Sequence, residues 1–260
     1  EHLMMKKQSL HFPSSGHSAH KAMPFSNPLF DSEALKRLIV PLVIEQILAV
    51  TVGMADIIMV SQVGQHATSG VSLVDTISNL LIQVFSALAT GGAVISSRYV
   101  GKGRHADACC AANQLLLSIG AMGILIMAVS LIGNGWILAT IYGKVDANVM
   151  EAAETYFYIT ACSYPFLAVY NGCAALCRSM GDSKVSMKTS LLMNAINVAG
   201  NATLVLGFHM GVAGVAYPTL VSRIVAAVIM VAVVHNQKRP IHIDAHFRLG
   251  FDWKLIKEIL

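Results

Sequence analysis

Six long apolar runs alternate with short polar stretches along the chain. They fall at about 36–60, 69–97, 108–133, 152–177, 185–207 and 212–235. Each holds the roughly 20 mainly apolar residues that a helix needs to cross a hydrocarbon core. Apolar residues do not alternate with period two over short segments, which excludes strands. Lipid offers backbone groups no hydrogen-bond partner, so each run predicts a helix. The pattern predicts an all-α polytopic membrane protein with six transmembrane helices. Pro165 in the fourth run and Pro218 in the sixth each remove a backbone donor, so both predict bends.

The polar residues inside these runs are periodic. The second run carries Ser72, Thr76, Asn79, Gln83, Ser86 and Thr90, at steps of 4, 3, 4, 3 and 4. That is one continuous helix face, with Asp75 beside it. Helix–helix adhesion needs only one or two such groups, so six predict the wall of a water-filled path. The fifth run carries Ser186, Ser190, Asn194, Asn197 and Asn201 on one face. Amide oxygens can coordinate a hard cation or accept from a protonated carboxyl. An interhelical hydrogen-bond ladder is the structural alternative.

Acids inside a membrane cost roughly 2.5–3.5 kcal/mol each on insertion scales, so each needs a reason. Glu45 and Asp56 lie 11 residues apart in the first run. On a helix that separation returns to within about 20° of the same face and spans about 16 Å. The two cannot pair with each other. Glu45 is read either as an acid beside Lys36 or Arg37 or as part of a cavity. Asp56, with no basic neighbour in sequence, is read as a coupling residue. Arg223 is the lone base within a run, predicted to pair with Asp75 or Glu45 or to reach toward one membrane face.

Composition agrees with a membrane class. The 260 residues are 55% hydrophobic and only 12% charged, against roughly 25% charged in soluble domains. Charge placement says more than the net of +4. Sixteen of the 18 Lys and Arg residues lie before the first run, between two and three, between four and five, or after six. Only Lys144 lies in the opposite loops. Under the positive-inside rule, both ends of the six-helix unit face the cytosol of an inner-membrane protein. No basic run interleaved with aromatics marks a nucleic-acid site. An enzyme would need a nucleophile–base pair or metal triad within the runs, yet only His209 and His235 approach them, at their ends. We therefore expect neither enzyme nor cofactor. Cys173 and Cys177 share a helix face, but no third ligand lies nearby, so they read as packing residues.

Residues 1–28 hold four His, three Pro and several Ser without apolar period, and predict a disordered cytosolic tail. The lobe then spans 29–240. Residues 241–260 read as a cytosolic linker and the start of another helix. "FDWKLIKEIL" at 251–260 aligns without gaps on "FDSEALKRLI" at 30–39. Phe30, Asp31 and Lys36 match Phe251, Asp252 and Lys257, and each Asp stands where a helix N-cap would. An even number of spans returns the chain to its starting side, so a second copy would be a parallel repeat. The six spans predict one lobe of a twelve-helix protein.

Five motifs, in order, resemble the multidrug and toxic compound extrusion (MATE) family. They are Pro41 with "GMADIIMVSQVG", "SSRYVGKGR", "CRSMGDSK", "NAINVAGN" and "GVAGVAYPTLVSR". The resemblance covers about residues 31–260, corresponding to the family's first lobe. It implies a secondary active antiporter that exports organic, often cationic, compounds in exchange for Na+ or H+. It also implies a partner: the missing C-terminal lobe or a second copy. By the same resemblance, cation coupling falls on Asp56, Asn197, Asn201 and Thr219. Asn201 is an acid in some members, so this site carries less negative charge. The substrate cavity would take in Glu45, Asp75, Asn79, Gln83, Asn194 and Arg223. A flippase for lipid-linked substrates would need a more cationic cavity, and a non-transporting single lobe is the remaining alternative.

Overall fold

The structure is a computed structural model that describes residues 32–236 and 241. The tail at 1–28, the cap at Asp31 and the repeat at 251–260 lie outside the described residues.

The first three apolar runs fold as α1 (Ser32–Ser61), α2 (Gln65–Gly101) and α3 (His105–Ile132). At 1.5 Å per residue, the 37-residue α2 extends about 55 Å, well beyond a hydrocarbon core of about 30 Å. A short helix that the apolar pattern does not mark, α4 (Asn134–Tyr142), follows.

The fourth span, expected over 152–177 with a bend at Pro165, bends further than a kinked helix: it is two helices, α5 (Ala147–Ala161) and α6 (Tyr164–Ser179), at 51° across a short break. Pro165 is the second residue of α6, where a missing N–H costs nothing because first-turn donors lack intrahelical acceptors. Ser163 fills the break. Its N–H and its hydroxyl both donate to Thr160 O, at 2.9 and 2.6 Å.

The fifth span is α7 (Ser183–Asn201), which widens into a π-helical turn over Ala202–Gly207. The sixth is α8 (Ala213–Val234), which runs unbroken over Pro218. Among the described residues, five helices, with the α5–α6 pair as a sixth element, are long and apolar enough to cross a membrane.

Helix α6 is the centre of the lobe. Eleven of its 16 residues are buried, and it packs against α2, α3 and α8. Cys173 and Cys177 are among them, as packing residues should be. Helix α7 packs on α8, and α1 lies outside them against α7. Small residues set these approaches, as in other membrane bundles. A Cβ at Gly200 would stand 2.7 Å from Pro218 Cβ, and one at Gly123 would stand 2.9 Å from Pro165 Cα. Only glycine lets α7 meet α8, and α3 meet α6, this closely. By contrast, α1 turns Ile47, Val50 and Ile58 outward, each at least 60% exposed. Lipid suits such a face.

Candidate functional site

The three outer helices bring the site together. The π turn follows Asn201 directly, and the close α7–α8 contact at Gly200 sets Asn197 opposite Thr219. On α1, Asp56 faces the same point. Asn201 Nδ2 donates to Asp56 Oδ1 at 2.7 Å. Asn201 is fully buried, and its Oδ1 has no partner among the described residues.

Asn197 lies between the carboxylate and Thr219, and its amide fits in two ways. With nitrogen toward α8, it donates to Thr219 Oγ at 3.0 Å and accepts from Asn201 Nδ2 at 3.3 Å. Thr219 then donates to Val215 O at 3.0 Å. Turned over, Asn197 donates to both Asp56 oxygens, at 3.0 and 3.2 Å, and accepts from Thr219 Oγ. An amide oxygen repels a charged carboxylate and accepts from a protonated one. The two orientations therefore suit the two charge states of Asp56. Thr219 has one hydroxyl proton, so it serves either Val215 O or the turned amide.

This cluster borders a cavity of about 430 Å³ that Asp75, Asn79, Asn194 and Arg223 also line. Tyr156 donates to Asp75 Oδ1 at 3.2 Å. A second cavity, of about 520 Å³, lies toward the end of the lobe rich in Lys and Arg. Glu45 and Gln83 line it, and Asn79, Asn194 and Arg223 line both cavities. The α2 stripe follows this path. Ser72, Thr76 and Asn79 face the first cavity, and Asn79, Gln83, Ser86 and Thr90 the second. Neither Asn79 nor Gln83 makes a side-chain hydrogen bond among the described residues, so these two do not act as helix adhesive.

One expected pairing differs. Arg223 forms no ion pair with Asp75 or Glu45 among the described residues; its Nη1 donates to Ser163 Oγ at 2.7 Å. The Ser163 hydroxyl donates to Thr160 O and accepts from Arg223 with its oxygen. Among the described residues Glu45 takes its partners from α6. Arg178 Nη1 stands 3.9 Å from Oε1, and Tyr170 Oη donates to the same oxygen at 3.5 Å.

The sequence reading missed Tyr156, Ser163, Tyr170 and Arg178. A signal existed. Tyr156, Ser163 and Tyr170 recur at intervals of seven, which marks one helix face. Aromatic and small residues in an apolar run hide it, and Arg178 reads as a loop charge.

Comparisons with known proteins agree with this architecture. The MatE family profile matches residues 41–203. An uncharacterized transporter, YisQ, of Bacillus subtilis is 29% identical over 223 residues, 84% of this chain and 48% of its own length. The probable multidrug resistance protein NorM of Thermotoga maritima is 26% identical over 237 residues, 87% of this chain and 49% of its own. The outward-facing structure of a multidrug resistance MATE transporter superposes with a TM-score of 0.80 at 21% identity. It covers 88% of this chain and 50% of that one. The chain thus spans about half the length of the relatives it matches. With a matching profile over most of the lobe and the same fold, the chain belongs to the MatE (MATE) family, a family of membrane transporters and not of enzymes.

Proposed function

We infer that the lobe forms half of a secondary active exporter, in which Asp56 exchanges a proton or sodium ion for an organic compound. The observation that carries this reading is the buried contact between Asp56, Asn197, Asn201 and Thr219 across three helices. Charged Asp56 takes N–H groups from Asn201 and Asn197. A proton on Asp56 makes one oxygen a donor, and the Asn197 amide turns to accept it. Its nitrogen then meets Thr219, whose proton goes to Val215 O. A charge change on α1 is thereby felt on α7 and α8, and a helix arrangement that depends on that charge shifts with it. Sodium is an alternative load. Asp56, the unpartnered Asn201 Oδ1, Asn197 Oδ1 and Thr219 Oγ are the oxygens that would hold it, as hard cations prefer.

The basic helix ends face the cytosol of the inner membrane in this reading, and a second lobe or second copy completes the cavity. The test uses the protein from its full reading frame, reconstituted in vesicles. Under an imposed H+ or Na+ gradient, the parent should move an organic cation dye, and Asp56→Asn should lose that transport. Equal transport by Asp56→Asn under both gradients contradicts the coupling role.

A further inference from the structure

The second cavity has a polarity of its own. Its charged lining residues are Glu45, Arg178 and Arg223. The first cavity has Asp56, Asp75 and Arg223. The wall is therefore acidic around Asp56 and basic toward the Lys- and Arg-rich end. Glu45 does not cancel this. Its Oε2 is buried without a partner, and its Oε1 faces Tyr170 and Arg178. Glu45 borders the same cavity, so its wall holds two guanidiniums to one carboxylate. At 3.9 Å the Arg178–Glu45 contact is longer than a charge-assisted hydrogen bond, typically about 2.7–2.9 Å. Among the described residues Arg223 makes one hydrogen bond, to Ser163, and most of the five N–H donors of each guanidinium have no acceptor there. The amides of Gln83 and Asn194 border the same space.

We propose that this second cavity is an anion-accepting subsite, seating a carboxylate or phosphate of the transported compound against Arg178 and Arg223. A cationic group on the same molecule then points toward Asp75, so a zwitterion binds more tightly than the matching simple cation. Bidentate capture of an oxyanion is what a guanidinium fork does best. This rests on the reading of the lobe as half of an exporter cavity.

The experiment compares two fluorescent probes in the detergent-solubilised full-length protein. One is a rhodamine with a free carboxylate, a zwitterion. The other is its methyl ester, a plain cation of nearly the same shape. The parent should bind the acid more tightly than the ester. Arg178→Gln should weaken the acid about tenfold, the scale of one lost charge-assisted hydrogen bond, and move the ester less than about twofold. Arg178→Lys should recover part of the acid affinity. Removing Arg178 exposes Glu45 to loss of its counter-charge, so Arg178→Gln is also made with Glu45→Gln. The double variant should keep ester binding and lose the acid preference. Equal or tighter binding of the ester by the parent overturns the proposal, as does equal weakening of both probes in the double variant. Two readouts separate the readings: an acid–ester preference absent from the parent at equilibrium overturns the subsite, whereas gradient-driven transport left unchanged by Asp56→Asn overturns the coupling role.

Discussion

Asn197 is the residue on which the proposed mechanism turns, because its amide touches both Asp56 and Thr219. Thr219→Val keeps the shape and removes the hydroxyl. One end of the buried amide then lacks a partner, at a cost of about 1–3 kcal/mol. Thermal unfolding in detergent should show that loss, and Thr219→Ser should restore most of the stability. Spacing made parts of this cluster legible: Asn194, Asn197 and Asn201 on one helix face, and Asp56 as an acid with no basic neighbour in sequence. The family resemblance joined Asp56 to Asn197 and Asn201 and supplied Thr219, since a threonine in an apolar helix carries no signal of its own. Arg178 was not legible. Its charge reads as a loop cation until the last turn of α6 is seen to turn it toward Glu45.

At the scale of elements, the contact between α7 and α8 depends on one missing side chain. Gly200→Val would drive its methyls into Pro218, and overpacking typically costs about 1–3 kcal/mol. The expected result is lower thermal stability together with a weaker response to the coupling cation, because Asn197 and Thr219 separate. Gly207→Ala is the control, since no atom lies within 4 Å of a Cβ there. The break in span four acts at the same scale. Ser163→Ala removes the acceptor of the Arg223 guanidinium, and a hydrogen bond to a charged group is worth about 1.5–3 kcal/mol. Hydropathy showed the span and Pro165 the bend, but not that the helix ends and restarts there, because Ser163 sits in an otherwise apolar run. The π turn after Asn201 was equally hidden, since no residue type specifies one.

The whole molecule sorts its charge along one axis. Arg98, Lys102, Arg178, Lys184 and Lys188 gather near one set of helix ends, and Lys144 lies in a loop of the opposite side. In a background without the native cysteines, Lys144→Cys should react with a membrane-impermeant thiol reagent on intact cells, and Lys102→Cys only after the cells are opened. The reverse pattern would invert the proposed orientation. This charge axis was fully legible in the sequence. The polarity of the cavity wall was not, because it depends on which way Glu45 and Arg178 turn.

Coupling between two ligands is reciprocal: a cation that shifts substrate affinity is shifted by the substrate to the same degree. Substrate affinity measured across a range of Na+ concentration and pH, in the parent and in Asp56→Asn, therefore tests the central claim most directly. The parent should bind substrate at least about fivefold more weakly when the coupling cation is abundant, the lower end of typical coupling energies, and Asp56→Asn should show no such dependence. An undiminished dependence in Asp56→Asn would contradict the assignment of coupling to this cluster.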